Sequence, residues 1–209
     1  MAAQPYRTVV DNAATSRALV EATTVFDEMG VTPTDEQTAR MEAAILQASG
    51  LIDRFLDRVL AEEDVTDHFR SPRGEVLRLS RCPVVEVLEV IEAGTELTTD
   101  DYELDEATGQ LWRLSDGDRI WWSDAAAITV SYVGGYGLPD DLPADIQRAA
   151  IEQAKSQYMA SGRDPNLRSF SVPDVYQATY SVGGGDSMGK SGLLAQVEGA
   201  LAPYRRVGA

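Results

Sequence analysis

Residues 126–162, AAITVSYVGGYGLPDDLPADIQRAAIEQAKSQYMASG, constrain the fold more than any other stretch of this 209-residue chain. Ile128, Val130 and Tyr132 alternate with Thr129 and Ser131, the period of two expected of a strand with one buried face. Gly134, Gly135 and Gly137 end that strand, because glycine enters backbone regions closed to other residues. Pro139 and Pro143 remove two donors, and Pro143 suits the start of a helix, where a missing N–H costs nothing. From Ile146 the apolar positions Ile146, Ala149, Ala150, Ala154 and Met159 follow helical spacing. A sheet and a helix are thus joined through a short, stiff corner, and the rest of the chain must pack on both.

A second helix is expected at about residues 35–60. Met41, Ile45, Ala48, Ile52, Phe55 and Val59 recur at spacings of four and three, and Thr34 with Gln37 offers a reciprocal N-terminal cap. A shorter helix precedes it, with Leu19, Ala22, Phe26 and Met29 on one face and Gly30 as its stop. Residues 1–12 carry little pattern and read as an arm. Residues 61–74 read as a polar stretch containing His68, the chain's one histidine.

Period two returns at Glu75. Val76, Leu77 and Leu79 lead to Pro83. Residues 85–90 alternate, and Tyr102 and Leu104 face residues 110–114 across a turn carrying Gly109. Asp116, Gly117 and Asp118 turn again before Ile120, Trp121 and Trp122. These segments predict an antiparallel sheet of four or five strands over about residues 75–133. The fold class expected is α+β: a small helical bundle built on one long helix, an inserted antiparallel sheet, and an extended C-terminal tail ending in a short helix. The body spans 1–165 and the tail 166–209. Within the tail, Leu193, Leu194, Val197, Ala200 and Leu201 have helical spacing, and the tail holds too little apolar surface to fold alone.

The formal net charge is −16, which argues against tight non-specific binding of nucleic acid, since that needs a basic footprint. The single cysteine, Cys82, allows no internal disulfide and points to cytosolic folding. No apolar run approaches the roughly 20 residues of a membrane span, and the first residues lack the pattern of a signal peptide. One histidine and one cysteine leave no Ser-His-Asp or Cys-His constellation, no cofactor is implied, and no metal spacing is present. Acids crowd the strand region, Asp100, Asp101, Asp105, Glu106, Asp116 and Asp118 among them. Their spacing does not match a calcium loop, and they read as a solvated or channel-facing acidic surface. Residues 184–191, GGDSMGKS, match the phosphate-loop pattern letter for letter. With 18 residues left after Ser191, no strand can follow to carry a magnesium-binding acid, so nucleotide binding stands only as the alternative.

Taken in order, ALVEATTVFDEMGV, MEAAILQASGLIDRFLDRVL with HFR after it, LRLSRCPVVEVLEV, DYELDEATGQLWRL, ITVSYVGGYGLPDDLPADIQRAAI, GRDPNLRSFSVPDVYQATY and the terminal LAPYRR give a chain that resembles the head–tail connector (adaptor) proteins of long-tailed bacteriophages and related gene transfer agents, over residues 16–206. The resemblance implies a structural protein of the particle neck, not an enzyme. It implies a ring, usually of twelve copies, under the portal protein, with a tail-completion or stopper protein on the other face and double-stranded DNA passing through. It also implies that the C-terminal segment docks on the portal. Phe170, Tyr176, Tyr180, Leu201, Tyr204, Arg205 and Arg206 are the residues expected to do so. The glycine-rich insert, residues 183–192, departs from the family's pattern.

Overall fold

The computed structural model describes residues 2–70, 72, 74–124, 127–161, 169–172, 176–179 and 191–206. They form four helices and eleven strands, and every strand-to-strand ladder is antiparallel. The chain divides into two units: a sheet unit of Met1–Arg17, Arg58–Asp141 and Arg206–Ala209, and a helical unit of Ala18–Asp57 and Leu142–Arg205.

The helical unit holds α1 (Ala22–Met29), α2 (Asp35–Leu56), α3 (Ala144–Ser161) and α4 (Ala195–Leu201). Thr34 and Gln37 close the expected capping box at the start of α2. The helix stops at Leu56, four residues earlier than its spacing predicts, because Asp57 turns left-handed (φ 55°) and its N–H bonds back to the Arg54 carbonyl. Aspartate tolerates that conformation better than most residues. α2 packs on α3, α4 on α3, and α1 on both long helices. Met41, Ile45, Ile52 and Leu56 of α2 and Ile146, Ala150 and Ala154 of α3 are buried. The unit therefore rests on a pair of long helices, not on one. Leu193, Val197 and Leu201 are buried as well, so the last part of the tail belongs to this core.

The sheet unit contains nine strands. A five-stranded sheet has the order β1 (Arg7–Asn12), β2 (Glu63–Arg70), β9 (Ala127–Gly134), β4 (Val84–Glu92), β5 (Thr95–Glu96). A second sheet joins β3 (Val76–Arg78), β7 (Gln110–Ser115) and β6 (Tyr102–Asp105), with β8 (Asp118–Ile120) also paired to β7. Val65, Phe69, Leu77, Leu79, Leu111, Trp122, Ile128, Val130 and Tyr132, drawn from both sheets and the segments between their strands, belong to the core of the unit.

Two expectations are corrected here. Residues 7–12 are an edge strand, not a loose arm, and residues 63–70 are a central strand, so the sheet extends well outside 75–133. The reason lies in β2 itself. Its inward positions are Glu63, Val65, Asp67 and Phe69, so half of its buried face is carboxylate and its hydropathy reads as polar. β4 departs from simple alternation as well. Register shifts leave Val85 and Leu88 as extra residues, and both side chains point to solvent. A bulge of this kind bends an edge strand away from pairing.

Candidate functional site

Among the described residues there is no group of three or more His, Cys, Asp or Glu able to hold a metal, and no helix is long and apolar enough to cross a membrane. The features with chemical content are a buried carboxylate network, a set of surface acids and the C-terminal segment.

The network lies on the inner face of β2. Glu63 is fully buried and accepts from Arg17 (2.6 Å) and Arg81 (3.0 Å). Burial alone would raise its pKa, but the hydrogen bonds and charges of the two guanidinium groups outweigh that and hold it below the usual carboxylate range. Four residues along, Asp67 accepts from the Thr8 hydroxyl (2.5 Å), the Ser80 N–H (2.6 Å) and the Tyr132 hydroxyl (2.9 Å). The Tyr132 oxygen in turn accepts from the Arg81 N–H at 2.8 Å. Burial, with the Asp67 charge beside it, pushes the Tyr132 phenol well above its ordinary value. Every buried oxygen here has a donor, the condition under which buried charge specifies one arrangement instead of destabilising it. The network joins β1, β2, β9 and the loop before β4, which makes it an organiser of the sheet. Sequence reasoning missed it; Glu63 and Asp67 at i and i+4, in alternation with Val65 and Phe69 at i+2 and i+6, was the available signal.

The six expected surface acids are divided between the two ends of β7. Asp105, the last residue of β6, and Glu106, in the turn after it, lie where the chain enters β7. Asp105 accepts from Thr108 Oγ1 (2.7 Å) and the Ala107 N–H (3.1 Å), and the Thr108 hydroxyl is the main reason its pKa is lowered. The Glu106 carbonyl accepts from the Val84 N–H at 2.7 Å, and its side chain is exposed. At the far end, Asp116 (φ 53°) and Gly117 (φ 86°) turn the chain into β8, which begins at the exposed Asp118. Asp100 and Asp101 belong to the 3-10 turn Thr99–Asp101. The Thr98 hydroxyl and N–H, then Arg113, hold the Asp101 carboxyl below the usual range. Asp101 and Asp105 are therefore spent on turn geometry, whereas Asp100, Glu106, Asp116 and Asp118 are exposed. With the two groups about 17 Å apart along six residues of strand, they do not make one patch.

The expected docking residues fall in three places. Phe170 lies on β10 (Ser169–Val172) and Tyr176 on β11 (Tyr176–Thr179), an antiparallel pair in which Phe170 is opposite Ala178 and Val172 opposite Tyr176. Tyr180 lies outside the described residues. Leu201 is buried in the helical unit and, in this conformation, presents no surface. Tyr204, Arg205 and Arg206 are tied down. The Tyr204 hydroxyl donates to Asp145 (3.2 Å), the Arg205 guanidinium lies 5.4 Å from the centre of the Phe55 ring, and Arg206 donates to the Leu79 carbonyl. A groove of about 490 Å³ between α3 and α4 is lined by Asp145, Arg148, Glu152 and Gln196.

Of the phosphate-loop pattern, only Ser191 lies within the described residues. Its hydroxyl donates to Glu198, which also accepts from its N–H at 3.3 Å. A carboxylate thus occupies the hydroxyl that a phosphate loop would turn toward a magnesium ion.

No protein-family model matches the sequence, and no curated protein matches it. Solved structures do. The chain is similar to one in the neck of an empty gene transfer agent (GTA) particle computed with C6 symmetry, at 15% identity and a TM-score of 0.60, over 97% of this chain and 97% of that one. It is similar to a chain in the virion of a native GTA particle, at 14% identity and a TM-score of 0.60, over 97% and 96%. A chain in the neck of a native GTA particle computed with C12 symmetry gives 15% identity and a TM-score of 0.54, over 96% and 97%. At these identities the likeness is one of fold, and it runs the full length of both chains.

Proposed function

We propose that this chain is a structural head–tail adaptor in the neck of a tailed phage or phage-like particle. Copies form a ring of twelve beneath the portal. The ring joins capsid to tail and leaves a channel for double-stranded DNA. The observation that carries this reading is the full-length similarity of fold to a chain in a gene transfer agent neck. The C6 and C12 symmetries of those neck structures support a ring of many copies. The partners are then further copies of the chain, the portal protein, and a tail-completion or stopper protein, with no cofactor and no catalysis.

In this reading the hairpin of β10 and β11 is the portal-docking element, with Phe170 and Tyr176 as its aromatic anchors and Tyr180 beyond it. Tyr204, Arg205 and Arg206 fix the end of the chain on its own body. Buried aromatic anchors carry most of the energy of an interface, 2 kcal/mol or more each. Phe170→Ala together with Tyr176→Ala is therefore expected to weaken binding of purified portal rings at least about thirtyfold and to leave the thermal unfolding of the isolated chain unchanged. Binding within about threefold of the parent would remove the docking assignment.

The exposed acids, Asp100, Glu106, Asp116 and Asp118, would keep DNA from adhering in the channel, since like charge repels phosphate over roughly 8–10 Å at moderate salt. Changing all four to their amides is expected to produce salt-sensitive retention of double-stranded DNA by assembled rings. Retention equal to that of the parent ring would exclude a channel role for these residues.

A further inference from the structure

On the basis of the ring reading, we infer that neighbouring copies meet edge to edge through the five-stranded sheet, β1 of one against β4 of the next. The register fixes which residues share a level. Arg7 pairs with His68, His68 with Thr129 and Thr129 with Ile91. Val9, Thr66, Ser131 and Glu89 form a second row, and Val10, Val65, Tyr132 and Val87 a third. β1 is one open edge. β4 is the other over residues 85–89, because β5 pairs with it only at Ile91 and Glu92. Directions alternate along the sheet, so β1 and β4 are antiparallel to each other. A second copy displaced sideways, without being turned over, sets its β1 antiparallel beside β4 of the first. Val10 then lies next to Val87 and Leu88, and Arg7 lies two residues from the level of Glu89.

The side chains on the two edges are complementary. β4 exposes Val85 (56%) and Leu88 (54%) with Glu86 and Glu89 among them, and β4 carries no basic residue. β1 exposes Val10 (39%), Arg7 and Asp11, whose carboxylate accepts from the Thr66 hydroxyl at 2.6 Å. The aromatic residues repeat the match one level on. Ala93 donates its N–H to the Ala127 carbonyl, and Ala127 pairs with Arg70. On the β4 side of that level, Trp121 (67% exposed) borders a groove with Glu92 and Ala93. On the β1 side, Tyr6 (58% exposed) lies under the Arg70 guanidinium, 4.7 Å from its ring centre. Apolar side chains on both edges, with Glu86 and Glu89 on one and Arg7 on the other, are the arrangement of a head-to-tail contact, and such contacts form rings where the rotation between copies closes. The bulges at Val85 and Leu88 break the ladder geometry, so side chains carry the contact and strand addition is incomplete.

The test uses the full chain, whose own Cys82 is buried. Val10→Cys and Leu88→Cys are made separately and mixed with a short bismaleimide. The mixed pair is expected to couple at least about tenfold faster than either variant alone, and a chain carrying both changes is expected to give a ladder of multimers. Arg7→Glu in the first variant should slow mixed coupling about tenfold, and Glu89→Arg in the second should restore it. Mixed coupling no faster than self-coupling overturns the edge contact. If the parent chain still sediments as a closed multimer, that result removes only this interface; if the parent stays monomeric at every concentration, the ring reading falls with it.

Discussion

Gly135→Ala is expected to lower the melting temperature by roughly 6–12 °C, which corresponds to about 3 kcal/mol in a chain of this size. Gly135 follows β9 with φ +121°, outside the range L side chains adopt. Its N–H donates to the Pro83 carbonyl at 2.8 Å. A Cβ built there would lie 2.3 Å from the Ala61 carbonyl oxygen and 2.6 Å from the Glu62 nitrogen. These are backbone atoms, held by the Tyr136 N–H on the Leu60 carbonyl (2.7 Å) and the Glu62 N–H on the Tyr136 carbonyl (2.9 Å), so they cannot swing aside. Gly94→Ala is the control. It also has a positive φ, +80°, but nothing lies within 4 Å of its added methyl, so only the left-handed strain of about 1–2 kcal/mol remains. Scanning calorimetry of the two variants checks the argument, and equal melting temperatures would refute the close approach at Gly135.

The second large effect is at Glu63. Truncation to alanine leaves Arg17 and Arg81 facing an empty, buried acceptor site, and breaking such a pair costs about 3–5 kcal/mol. Arg17→Ala should cost less, because that side chain is half exposed. The pH dependence follows from the lowered pKa. The unfolded carboxyl takes up its proton first as pH falls, so the stabilisation is complete above the ordinary glutamate value of 4.5 and is lost as pH drops through the lower folded value. Urea denaturation between pH 7 and pH 3 should therefore show the parent losing stability faster below pH 4.5 than Glu63→Gln. Parallel pH profiles would show that Glu63 is not ionised in the folded chain.

The elements legible from sequence were those whose buried face is apolar. α2 and β9 follow their periods closely, and the turns at Gly109 and Asp116–Gly117 announce themselves by residue type. β2 did not, because Glu63 and Asp67 occupy core positions that only their partners from elsewhere in the chain make tolerable. β1 was hidden with it, since an edge strand of Arg7–Asn12 has no reason to form until β2 exists. In β4 the two bulges scramble an otherwise regular alternation. The helical spacing of residues 193–201 was visible, but its seat on α3 was not: the small Ala149, Ala150 and Ala154 that admit a close neighbour read equally well as a plain helix. Of the proposed interfaces, the acids were legible as a composition, whereas their division between two turns depends on the strand joining them.

The interleaving of the two units has a consequence for synthesis. The helical unit is encoded in two blocks, Ala18–Asp57 and Leu142–Arg205. α1 and α2 therefore leave the ribosome long before α3 and α4, which cover their apolar faces. At roughly 5–20 residues per second, that wait lasts on the order of ten seconds, while the intervening sheet unit is translated. The nascent chain spends that interval with Met41, Ile45 and Ile52 uncovered, and this is the period in which a holding chaperone or slower expression at low temperature would decide the yield of native protein.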